Sequence, residues 1–110
     1  MRLSVVPALF FAAALAGCAS TMAPPTVINS ERAMEEEVAC ITNLFNTRLE
    51  LVRSTPIRNG VEIASVDQAG LIVARVEVVR AGHGSRVTLE VREFASLFYH
   101  DLVRRCAGTR

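Results

Sequence analysis

The chain has no lysine: all 12 basic residues among its 110 are arginine. Arginine grips phosphate and carboxylate with a planar fork, but here acidic residues are interspersed with the arginines, and alanine and valine are abundant too. A compositional bias of the genome explains the missing lysine more economically than a ligand does. Net charge is also lacking, at +1 for the whole chain, and no aromatic and basic residues interleave, so no electrostatic reason for nucleic-acid binding exists. No apolar run reaches the roughly 20 residues of a membrane-spanning helix. Catalytic patterns are absent as well: there is no Gly-x-Ser-x-Gly elbow and no phosphate-binding glycine loop. Of the two histidines, His83 sits in a glycine turn and His100 beside Asp101 on the polar side of a helix. Neither has a second ligand at metal spacing. His83 and Ser85 lie on a hairpin where neighbours point apart, which does not suit a base and its nucleophile. Glu35, Glu36 and Glu37 read as a solvated helix start favoured by the helix dipole. The expectation is a non-enzyme without cofactor or metal.

What is present begins at the N-terminus. Arg2 precedes an apolar run from Leu3 to Ala16, the length and flank of an export signal. The run closes in Leu15-Ala16-Gly17-Cys18. These four residues resemble the lipobox of bacterial lipoproteins. The resemblance implies cleavage before Cys18, a diacylglycerol on its sulfur, and an acyl chain such as palmitate on its new amino group. Ala19, in place of an aspartate, implies retention in the outer membrane, facing the periplasm. The expected organisation is a signal peptide over 1–17, a lipidated N-terminus and flexible tether over 18–29, with Pro24-Pro25 extending it, and one small domain over 30–108. The plan otherwise resembles small proteobacterial lipoproteins with a cysteine near each end of the folded part, a resemblance that carries no activity with it.

With Cys18 assigned to lipid, Cys40 and Cys106 form an even pair in an oxidising compartment, so a disulfide is expected. The loop it closes spans 66 residues of sequence separation, for which chain entropy gives roughly 4 kcal/mol. That is a large share of the typical 5–15 kcal/mol stability of a small domain.

Periodicity supplies the fold. Ser30 suits an N-cap, and Met34, Val38, Ile41, Phe45, Leu49 and Val52 recur at steps of three and four, which predicts a helix over about 30–50. Ser54-Thr55-Pro56 would stop it. Strands are expected at 61–66, 71–80 and 85–92, separated by turns at Asp67–Gly70 and Ala81–Gly84. With Ala81 facing Gly84, Val78 meets Val87, Val76 meets Leu89 and Ala74 meets Val91. With Asp67 facing Gly70, Val61 meets Val76 and Ile63 meets Ala74, while Arg75 falls between Glu62 and Glu90 on the other face. Glu93–Cys106 reads as a second helix, with Ala95, Phe98, Tyr99, Leu102 and Cys106 on one side, ended by Gly108. The predicted class is α+β, an α-β-β-β-α chain with a three-stranded antiparallel meander and both helices on one face.

The open sheet face would then carry Val66, Leu71, Val73 and Val79 beside Arg75, Arg86 and Arg92. An apolar patch rimmed by arginine suggests docking of an envelope protein. The expected function is a non-catalytic, membrane-anchored, protein-binding lipoprotein whose partners are the lipid bilayer and an unidentified envelope protein. The alternatives are a small-ligand or cell-wall-binding module and, third, a small periplasmic enzyme, which would require Arg86, Arg92, His100 and Asp101 to converge.

Overall fold

The computed structural model describes residues 21–48 and 51–107. The elements are β1 (Thr26–Ser30), α1 (Met34–Arg48), β2 (Leu51–Ile57), β3 (Gly60–Val66), β4 (Ile72–Ala81), β5 (Gly84–Val91) and α2 (Ser96–Cys106), with a 3₁₀ turn at Glu93–Ala95 leading into α2. The strands form one five-stranded antiparallel sheet in the order β1-β5-β4-β3-β2. This overturns the three-stranded meander: β3, β4 and β5 are its centre, and β1 and β2 add an edge strand on either side.

Each added strand has a physical reason. β1 was expected as the end of a tether, yet it covers the outer edge of β5, which would otherwise present unpaired backbone groups. Attachment begins even earlier, because Met22 bridges to Arg92 and the Ala23 N–H donates to the Val91 carbonyl at 2.7 Å. Ser30 therefore ends a strand and does not cap α1. Its hydroxyl accepts from the Arg32 N–H at 3.1 Å, and the helix starts at Met34. β2 was hidden because Val52 continues the helical spacing and Pro56 looks like a breaker. Proline is tolerated on an edge strand, where the missing N–H costs no ladder bond, and β2 is such an edge.

The β4–β5 hairpin has the expected pairing, with Ala81 opposite Gly84 and Val78 opposite Val87. Gly82 supplies the positive φ of 61° that the two-residue turn requires. The β3–β4 pairing is displaced by two residues, so Val61 meets Val78 and Ile63 meets Val76. The cause lies in the turn. The Asp67 carboxylate accepts from the N–H groups of Ala69 and Leu71, both at 2.9 Å, and the Asp67 N–H donates to the Leu71 carbonyl. Asp67 thus pairs with Leu71 around a turn in which the Gly70 N–H donates to the Asp67 carbonyl at 3.0 Å, and an irregularity between Ser65 and Val66 completes the shift. A two-residue displacement keeps every side chain on its face.

Both helices cover the same face. Ile41 and Phe45 of α1 and Tyr99, Leu102, Val103 and Cys106 of α2 pack on Ile63, Ala74, Val76, Val78, Val87, Leu89 and Val91. Phe45 and Tyr99 meet edge to face at 5.6 Å, and the Tyr99 hydroxyl bonds Ser65 at 2.9 Å, which satisfies the one polar atom the ring brings inside. Cys40 and Cys106 are disulfide-bonded with their Cα atoms 5.7 Å apart, joining the middle of α1 to the last turn of α2. Val103 is buried while Phe98 is exposed, the reverse of the expected side for Phe98.

Candidate functional site

The open face of the sheet is laced with charge. Arg53, Ala64, Arg75 and Glu90 lie in one cross-strand row, and Glu62 sits opposite Glu77 in the next. Two like charges directly opposed are unfavourable. Arg75 relieves this by reaching Glu62 diagonally at 3.5 Å and Glu90 across the ladder at 3.6 Å. Arg75 is therefore committed to its neighbours within the sheet.

The residues of the expected arginine-rimmed patch have different fates. Val66 is buried, Val73 and Val79 are half-buried, and Leu71 is exposed in the turn before β4. Arg86 points to solvent, whereas the Arg92 Nε–H donates to the Ile72 carbonyl at 3.2 Å. Arg75, Val79 and Arg86 lie on the open face, whose apolar surface charge interrupts, whereas Val73, the extra residue at the β3–β4 irregularity, packs against the core. Cys18 and the export signal lie outside the described residues.

The four residues that would make an enzyme's cleft do not gather. The His100 Nδ1–H donates to the Ser96 carbonyl at 2.7 Å, and Nε2 bonds the Thr26 hydroxyl at 2.8 Å on the helix-covered face. Arg86 is on the opposite face, and Asp101 pairs with Arg105 at 2.8 Å. Among the described residues, no three His, Cys, Asp or Glu side chains cluster as a metal site, and no helix is long and apolar enough to cross a membrane.

A concave site occurs at the edge instead. A groove of about 310 Å³ is lined by Leu51, Val52, Arg53, Val66 and Gly70. Its lining is mostly apolar, Arg53 is the one charged residue in it, and it lies where β2 begins. Beyond it, β2 runs to Ile57 with Arg53, Ser54, Thr55 and Pro56 exposed and, among the described residues, no strand on its outer side. Sequence reasoning missed this strand although Asn59-Gly60, a strong hairpin signal, stands at its far end. The two-residue turn itself is Arg58-Asn59, with Asn59 at φ of 61°, and Gly60 already belongs to β3 opposite Ile57.

Glu37 corrects a further expectation. Its neighbours Glu35 and Glu36 are exposed, but Glu37 itself is 0% exposed, and neither carboxylate oxygen makes a well-formed hydrogen bond. Burial pushes its pKa up from the usual carboxylate range, while the Ser30 hydroxyl and the Arg32 guanidinium pull back in part. Glu35 goes the other way: hydrogen bonding from the backbone, aided by Arg80, lowers its pKa.

No protein-family model, no curated protein and no solved structure matches this chain.

Proposed function

We propose that the chain is a lipoprotein of the bacterial envelope, held by an acylated Cys18 in the outer membrane and facing the periplasm, which binds an extended segment of another protein along β2. The observation that carries this reading is the edge itself. Among the described residues, no strand pairs with the outer side of the seven-residue β2, and strand addition uses such backbone groups for affinity and adjacent pockets for specificity. The groove at Leu51, Val66 and Gly70 would take one apolar side chain of the added strand, and Arg53 beside it favours an acidic neighbour. β2 carries little of the protection that edges usually have, since its only proline lies near one end.

The groove also favours a second reading, a small amphiphilic anion with its tail on Val66 and its head at Arg53, because 310 Å³ is the lower end of ligand-site volumes.

Photo-crosslinkers placed in cells at Thr55, Val79 and His83 separate these readings. The expected result is one protein adduct of discrete mass from Thr55, lost when Arg53→Glu is added, and none from His83. An adduct from Val79 but not from Thr55 would move the interface to the open face and overturn the edge. No protein adduct from either position, in a folded chain, would favour the small ligand.

A further inference from the structure

The large apolar side chains left exposed are not scattered. Among the described residues they are Val27, Leu51, Leu71, Phe94, Leu97 and Phe98. All but Val27 lie at one end of the sheet. Leu51 begins β2 and pairs with Val66, the last residue of β3, which in turn pairs with Ile72 at the start of β4, beside Leu71. Phe94 follows β5, and Leu97 and Phe98 form the first turn of α2. Phe94, Leu97 and Phe98 are spaced to share one side of that turn, and Phe94 and Leu97 are 74% and 88% exposed. Side chains so far into solvent contribute almost nothing to the core.

The chain enters at this same end and is fixed there. The Glu93 N–H donates to the Thr21 carbonyl at 3.4 Å, and the Thr21 hydroxyl donates to the Glu93 carboxylate at 3.1 Å. Cys18 is three residues before Thr21, and three residues span at most about 11 Å in any conformation. A lipid-bearing Cys18 therefore brings the bilayer surface to within about 11 Å of Thr21, which is hydrogen-bonded to Glu93, the immediate neighbour of Phe94.

We propose that Phe94, Leu97 and Phe98, with Leu71 at the same end, dip into the membrane that holds the acylated Cys18, so that the domain stands on the bilayer in a fixed orientation; this rests on the lipoprotein reading of Leu15–Cys18. The occupant is the apolar boundary of the bilayer and not an anionic headgroup, because Arg92 and Glu93 at this end offset each other and Arg92 already bonds Ile72. Burial of aromatic and leucine side chains at the acyl boundary is the usual mode of such contacts. It also removes the need for a spacer, which the attachment of residues 21–30 to the sheet does not provide.

The experiment uses the full lipidated chain in neutral phosphatidylcholine vesicles. An environment-sensitive fluorophore is attached through Leu97→Cys or, at the opposite end of the sheet, through Arg58→Cys, and quenched with spin-labelled lipids. Intact mass reports acylation of Cys18 separately. The expected result is quenching about threefold stronger at 97 than at 58, insensitive to salt, and reduced towards the value at 58 by Phe94→Ser with Phe98→Ser. Equal quenching at both positions in an acylated, folded chain would overturn the docking while the lipoprotein reading stands. A mass without acyl chains would overturn both. Shielding at 97 that depends on protein concentration and not on lipid would assign the rim to a second copy of the chain and overturn the membrane contact.

Discussion

The two ends of the sheet are built from the same five strands and differ in nearly everything else. At one end, Arg58-Asn59 and Gly82-His83 make tight exposed turns, and Arg80 of β4 pairs with Glu35 of α1 across the gap. At the other, the β3–β4 turn and the 3₁₀ turn leading into α2 carry Leu71, Phe94, Leu97 and Phe98 into solvent, and Leu51 is exposed at the start of β2. Two-residue turns demand glycine, asparagine and polar neighbours for their backbone geometry. Longer connections impose no such demand, so their composition is free to answer to something outside the domain. The apolar side chains that serve no core thus gather at the end where Thr21 joins the sheet.

The largest expected effect tests whether the ends are held by one core. α2 departs from the apolar end, and the disulfide ties its last turn back to α1. Replacing Cys40 and Cys106 by serine should remove about 4 kcal/mol and lower Tm by roughly 15–30 °C, read by thermal denaturation beside the reduced wild type. A loss of only a few degrees would mean that helix packing suffices. Next comes Gly84→Ala at the polar end, where a Cβ would stand 2.1 Å from the Ser30 carbonyl oxygen. Overpacking against backbone should cost roughly 2 kcal/mol, visible as a lower urea midpoint; no change would show that β1 can move away freely. Nearer the apolar end, Tyr99→Phe leaves the Ser65 hydroxyl without the ring's partner at 2.9 Å and should cost about 1 kcal/mol by the same measurement.

The smallest effect is a gain. Burial raises the Glu37 pKa, so its charged form is disfavoured in the fold. The stabilising contribution of the protonated form is complete below the unfolded pKa and disappears as pH rises through the folded one. Lowering the pH from neutral to about 5 should therefore stabilise the wild type slightly. Glu37→Gln should raise stability at neutral pH and flatten that dependence. An identical pH profile in both proteins would place the carboxylate in water.

The sequence made the polar end readable and left the apolar end obscure, for identifiable reasons. Gly82 and the alternating valines fix the β4–β5 register because both turn geometry and burial point to the same pairing. Ile41, Phe45, Leu102 and Cys106 recur at helical steps and are all in the core. Arg75 reaches both Glu62 and Glu90 even though the β3–β4 register differs. The edge strands were illegible because edges obey weaker rules: β1 has little apolar alternation, and β2 contains the proline that only an edge accepts. Glu37 was misread because three successive glutamates look alike in sequence, and only helix rotation distinguishes the one that turns inward. The candidate site shared this fate, since its groove depends on Leu51 and Arg53 belonging to a strand.

Because β1 precedes Cys40, it lies outside the covalent ring that the disulfide closes around the other four strands. It is also the strand through which a membrane-held chain would transmit force. A pull from the entry end runs along the axis of β1, so its five pairings with β5 are loaded in shear, all together, and not peeled one at a time. The geometry makes β1 a clasp that resists tension applied from its N-terminal side while the ring behind it keeps its shape.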